Sequence, residues 1–149
     1  MEPLNMGEIV SQVQSRLSYM IKEYQGDIVI PTQWPIAQGY APWIEEVWTN
    51  YISNALKYGG IPPRLELGAS HDGNSHLRFW VHDNGQGLSH EQQSQLFVPF
   101  TRIGQVRVEG HGLGLSIVQR IVEKCGGQVG VESEVDQGSR FYFTLPVVG

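Results

Sequence analysis

Three glycines at alternate positions, Gly110, Gly112 and Gly114, stand where Gly110-His-Gly-Leu-Gly-Leu-Ser-Ile-Val-Gln119 runs into a segment with helical periodicity. Leu113, Ile117, Val118, Ile121, Val122 and Cys125 mark its apolar face. Glycines let backbone N–H groups approach an anion with no Cβ in the way, and a helix start offers unpaired N–H groups and partial positive charge. The stretch reads as a phosphate-binding turn, or else as a tight turn that lets a helix pack closely. Upstream, Asp83-Asn-Gly-Gln-Gly87 follows the strand-like Leu77–Val81, which places a carboxylate at a strand end while two glycines turn the chain away from it. A third polar group lies on Trp43–Tyr58. At about 100° per residue its apolar stripe is Ile44, Val47, Trp48, Tyr51, Ile52 and Ala55. Asn50, Asn54 and Lys57 cluster on the opposite side, with Glu46 at the margin. Two amides and an ammonium could hold a hydrated Mg²⁺ and the phosphates it bridges, or could be a solvated helix face.

The elements that must position these residues follow from local signals. Asn5 and Glu8 form a capping box for a first helix carrying Ile9, Val13, Leu17, Met20, Ile21 and Tyr24, stopped by Gly26. Asp27–Ile30 reads as a strand, and Pro31–Pro42 as a connection leading into the Trp43–Tyr58 helix, with a proline near its first turn. Arg64–Ala69 and His76–Val81 flank an Asp72-Gly73-Asn74 turn and read as a hairpin. Ser89 and Gln92 cap a short helix ending near Phe97. Gly126-Gly127 closes the glycine-led helix, and Gln128–Glu132 with Arg140–Leu145 form a last hairpin. Helices and strands mix without regular alternation, the mark of an α+β two-layer sandwich.

Composition narrows the class. A chain of 149 residues, 40% hydrophobic and 17% charged, can bury one core, so residues 1–149 read as a single domain. The net charge of −5, without a basic run, argues against a nucleic-acid partner. A single cysteine, Cys125, excludes an internal disulfide and a multi-thiolate metal site, and its apolar face makes it a buried structural thiol. No stretch approaches the length of a membrane span, and the acidic N-terminus is unlike a signal peptide, so a cytoplasmic domain without membrane contact is expected.

Taken in order, these motifs resemble the ATP-binding catalytic domain of sensor histidine kinases, in the superfamily that also holds gyrase, the heat-shock chaperone ATPase and the MutL-type repair ATPases. The resemblance runs from about residue 4 to residue 146. It comprises an N box at Asn50–Tyr58, a G1 box at Asp83–Gly87, an F box at Leu96–Phe100, a G2 box at Gly110–Leu115 and a closing Gly138-Ser-Arg-Phe-Tyr-Phe143. It implies a mixed β-sheet packed against about three helices, the Bergerat fold, with ATP and Mg²⁺ as cofactors. By the same resemblance Asp83 accepts the adenine amino group, Gly85 and Gly87 shape the turn beside the base, Asn54 ligates Mg²⁺, Lys57 contacts phosphate and Tyr58 walls the pocket. Gly110, His111, Gly112, Leu113, Gly114 and Leu115 line the phosphates or shape the lid hinge. Phe97 and Phe100 pack the lid base or meet a partner helix, Phe100 being placed with the nucleotide-binding set.

Asn50 separates reaction classes. Four residues before the Mg²⁺ asparagine the gyrase-like enzymes carry a glutamate that activates water; an amide cannot take that proton, which disfavours hydrolysis. Phosphoryl transfer needs mainly positioning and charge neutralisation. Glu46 is the runner-up base. Residues 101–109 are expected to form the lid, with Arg102 or Arg107 reaching the γ-phosphate or remaining solvated. The family's phosphoacceptor histidine belongs to a helical dimerisation domain that is absent here, and His71-Asp72, His82-Asp83 and His90-Glu91 are poor imitations of it. The implied role is that of a donor, monomeric by itself, serving a histidine-containing dimerisation domain and a downstream response regulator. A regulatory ATP-binding module without turnover and an anti-sigma-type serine kinase share the fold.

Overall fold

In the computed structural model the described residues are 1–97 and 114–148. In chain order the elements are β1 (Glu2–Pro3), α1 (Met6–Arg16), α2 (Ser18–Tyr24), β2 (Asp27–Val29), β3 (Gln38–Gly39), α3 (Ala41–Tyr58), β4 (Arg64–Asp72), β5 (His76–Asp83), α4 (His90–Gln95), α5 (Gly114–Lys124), β6 (Val129–Ser133) and β7 (Ser139–Pro146). Five strands form a mixed sheet in the order β2-β4-β5-β7-β6, in which only the β2–β4 pairing is parallel. β1 and β3 make a separate antiparallel pair.

Period-two alternation decides which face of the sheet is covered. In β5, Leu77, Phe79 and Val81 are buried while Arg78, Trp80 and His82 are half-buried, and in β7 Phe141, Phe143 and Leu145 are buried. Phe79 and Phe143, opposite each other in register, stack at 5.4 Å. Onto them α3 lays its apolar stripe, Trp48 meeting Phe143 edge-on at 5.2 Å. Helices α1 and α5 flank α3, which completes the helical layer of the expected α+β sandwich. Cys125 is buried beyond the end of α5, and burial pushes its thiol up from its ordinary range, as befits an inert side chain.

Among the described residues the other face of the sheet is roofed by its own side chains. Gly68, Trp80, Tyr142 and Gly130 form one row across β4, β5, β7 and β6. Trp80 lies over Gly68, where a Cβ would come within 2.4 Å of the indole, and Tyr142 lies over Gly130 at 2.3 Å by the same measure. The Arg140 guanidinium sits 4.6 Å above the Trp80 ring, and that of Arg78 sits 3.9 Å above Tyr142.

Several sequence expectations change. The first helix is two, broken at Leu17 and ended by Gln25 in the left-handed region. The Pro31–Pro42 connection contains β3. His71 and Asp72 close strand β4 instead of lying in the turn, which tightens to Gly73–Ser75. The Ser89 capping box has both of its hydrogen bonds.

Candidate nucleotide site

Asp83 is the last residue of β5, and alternation sends it to the helical side, where it is 1% exposed. Its Oδ1 accepts from the backbone N–H of Gly85 at 2.8 Å and of Ser139 at 3.3 Å. Backbone donors of this kind hold the carboxylate in one orientation. The next residue, Asn84, is a clamp: its Oδ1 accepts from Gly60 and Arg64 N–H, both at 2.8 Å, and its Nδ2 donates to the Pro62 carbonyl at 3.2 Å. Through it the loop after Asp83 is tied to the chain leaving α3. Gly87, at φ +76°, is constrained by the β6–β7 turn, since a Cβ there would come within 2.0 Å of the Glu134 carbonyl. The sequence offered no sign of that contact.

Helix α3 starts at Ala41 with Pro42 in its first turn, where a missing N–H costs nothing. Its polar side is not a solvated face. Asn54 is 5% exposed, and its Oδ1 is buried without a hydrogen-bond partner among the described residues. A buried carbonyl oxygen left unpaired costs about 1–3 kcal/mol, which a ligand pairing with it would recover. A hard divalent cation with oxygen ligands fits that donor. Asn50, one turn earlier, donates from Nδ2 to the Glu46 carbonyl at 2.9 Å. Its Oδ1 faces the start of α5, where a Cβ on Gly114 would come within 2.7 Å of it. The G2-box glycine thus seats the helix N-terminus against the N-box amide.

Glu46, the runner-up base, is engaged by a partner. Its carboxylate accepts from Arg16 Nη1 at 2.9 Å, and the Arg16 guanidinium, hydrogen-bonded to Glu46, has its pKa raised. An ion pair on the α1 side of α3 is poorly placed to take a proton from water at Asn50.

Lys57 and Tyr58 are half-buried at the end of α3, and Leu115 is buried in the first turn of α5. Asn50 on α3 and Gly114 at the start of α5 thus meet, and Asp83 is buried on the same, helical side at the end of β5. Phe100, Arg102, Arg107, Gly110, His111, Gly112 and Leu113, with the expected lid at residues 101–109, lie outside the described residues. A cleft of about 300 Å³ beside the G1 loop is lined by Arg64, His82, Asp83, Asn84, Gly85 and Gln137 and does not reach Asn54. Sequence reasoning missed Asn84, Ser133, Ser139 and Gln93. The closing motif contained Ser139, but a serine in a strand gives no sign of donating to an acid 56 residues away.

The Asn54 geometry yields a prediction. Asn54→Ala removes an unsatisfied oxygen, so stability without nucleotide should stay within about 1 kcal/mol of the parent. Binding of Mg·ATP should fall about tenfold or more, with a much smaller loss for ATP in excess chelator. Paired thermal melts and titrations check both halves.

The family described as histidine kinase-, DNA gyrase B-, and HSP90-like ATPase matches residues 39–149. The chain belongs to this family. Among relatives of this ATPase-family chain, an adaptive-response sensory kinase of Prochlorococcus marinus, SasA, is 31% identical over 150 residues, covering 98% of the chain and 40% of the relative. The chain spans two-fifths or less of the length of this kinase and of its Thermosynechococcus vestitus counterpart, 34% identical. The mycobacterial sensor histidine kinase MprB shares the fold at a TM-score of 0.84 and 22% identity, with 97% of both chains covered. Full-length ShkA in complex with AMPPNP matches at a TM-score of 0.82 and 27% identity, over 99% of this chain and 31% of that one.

Proposed function

We propose that this chain is the catalytic, ATP-binding part of a two-component sensor histidine kinase, donating the γ-phosphoryl group of ATP to a histidine on a separate dimerisation domain for relay to a response regulator. The observation that carries it is the character of the α3 polar face: two amides, Asn50 and Asn54, beside a buried strand-end acid, with the nearby Glu46 carboxylate bound to Arg16. Such a site binds and positions a nucleotide but, among the described residues, holds no base for water. Asp83 reads the adenine amino group, Asn54 would hold Mg²⁺, Lys57 contacts phosphate, and Gly114 aims the α5 N-terminus at the same place. When bound, Mg²⁺ neutralises charge on the phosphates. From the expected lid, Arg102 or Arg107 would reach the γ-phosphate. Kinship with named sensory kinases, and the AMPPNP in the ShkA complex, an ATP analogue, support the reading.

No described helix is long and apolar enough to cross a membrane. We place the domain in the cytoplasm, monomeric when isolated.

The proposal predicts two absences in the isolated chain. Steady ATP hydrolysis should run far below the roughly 1–100 per second typical of kinases. The chain should also take no label from γ-labelled ATP at His71, His82 or His90. His71 and His82 lie in β4 and β5 and His90 opens α4, elements that cannot carry an imidazole in line with the γ-phosphate of their own nucleotide. Phosphate release assays and intact mass after incubation read these outcomes. Hydrolysis at the rate of a dedicated ATPase would require a base that the reading denies.

A further inference from the structure

Around the β6–β7 turn the hydrogen bonds converge on one hydroxyl. Ser133 Oγ accepts from the Leu88 N–H at 2.7 Å and donates to the Gly138 carbonyl at 3.0 Å. A hydroxyl has one proton to give, so its 2.8 Å contact with the Ser139 hydroxyl is a bond that Ser139 donates. These partners exhaust the capacity of the Ser133 side chain. The Ser133 carbonyl also accepts, from Gln93 Nε2 at 2.8 Å, and the same Nε2 donates to the Leu88 carbonyl at 3.0 Å.

Every partner bears on Asp83. Leu88 closes the loop that Asp83 opens. Gly138, at φ +77°, lies against Asp83 so closely that a Cβ would come within 2.1 Å of its carbonyl oxygen. Ser139 gives its backbone N–H to Asp83 Oδ1.

We propose that Ser133 is a positioning residue that determines base specificity, locking the β6–β7 turn to the G1 loop so that the Asp83 carboxylate is held in the orientation that reads an exocyclic amino group. This rests on the reading of Asp83 given above. Without the Ser133 hydroxyl, the Leu88 N–H and Gly138 C=O lose their partner and the turn relaxes. The Ser139 bond to Oδ1, long already at 3.3 Å, lengthens further. The carboxylate keeps its bond from the Gly85 N–H but loses the second restraint on its orientation, and what is lost is discrimination of the base, because the phosphates are met by α3 and α5.

The test compares ATP with purine riboside triphosphate, which carries hydrogen in place of the 6-amino group, by calorimetric titration in Mg²⁺. Ser133→Ala should lower the preference for ATP about tenfold, chiefly by weakening ATP, with affinity for the purine analogue nearly unchanged. Ser133→Thr, which keeps the hydroxyl in a strand position that tolerates β-branching, should restore the preference. A merely structural serine would weaken both nucleotides alike, and an equal loss, or no loss, in Ser133→Ala would overturn the inference. Asp83→Asn separates the two levels. If it collapses the preference while Ser133→Ala does not, Ser133 has no positioning role and the reading of Asp83 stands. If Asp83→Asn leaves the preference intact, the reading of Asp83 fails and takes the inference with it.

Discussion

Titration of Asp83→Asn with Mg·ATP is expected to show binding weakened about tenfold to a hundredfold, the worth of one hydrogen bond to a buried charged acceptor. The substitution suits the question because an asparagine oxygen can still accept from the Gly85 and Ser139 N–H groups that hold Oδ1. The local frame survives. What disappears is the second carboxylate acceptor, replaced by an amide NH₂ that meets the adenine amino group donor to donor. Thermal melts without nucleotide should therefore move by only a few degrees while affinity falls. Parent-like binding by a folded Asp83→Asn protein would remove Asp83 from base recognition.

Trp48→Ala should produce the largest loss of stability. The side chain is 0% exposed, lies edge-on to Phe143 at 5.2 Å and to Trp34 at 5.5 Å, and donates its indole N–H to Met6 Sδ at 3.1 Å. It joins α1, α3 and the sheet, so its removal leaves a cavity that no single element can close. Large aromatic deletions cost about 3–5 kcal/mol, out of a total stability of about 5–15 kcal/mol for a domain. The urea midpoint should fall accordingly at unchanged slope, and Tm by roughly 10 °C. A loss below about 1 kcal/mol would mean that the aromatic cluster does not centre the core.

Features set by neighbours in sequence were legible before the structure. The Ser89 capping box, the alternation of β5 and β7 and the stripe of α3 depend on spacings of two to four residues, and all are present, while Asn5 caps α1 through the Glu8 N–H and Glu8 turns to the Asn5 amide instead of its backbone. The break at Leu17 was not legible, because the apolar period runs through it and no proline or glycine interrupts it. β1 and β3 were missed because two-residue strands leave no periodicity and exist only through their pairing across the fold. For the candidate site the same division holds. Asn50, Asn54, Asp83 and Gly114 stand out by type and spacing, and of these the Asn50 amide and Gly114 lie against each other. The ion pair of Glu46 was not legible, because its arginine lies 30 residues earlier. Ser133 and Asn84 act through bonds to backbone groups of distant loops, and nothing in their own surroundings in sequence announces that.

The central claim, that this chain is a phosphoryl donor to a histidine on another domain, is tested most directly by incubating it with γ-labelled Mg·ATP and a dimerisation domain that matches it. The label should pass to a histidine of the dimerisation domain, as an acid-labile, base-stable phosphoramidate, and the chain itself should stay unlabelled. Label retained on His71, His82 or His90, or released as free phosphate with none on the dimerisation domain, would contradict the account.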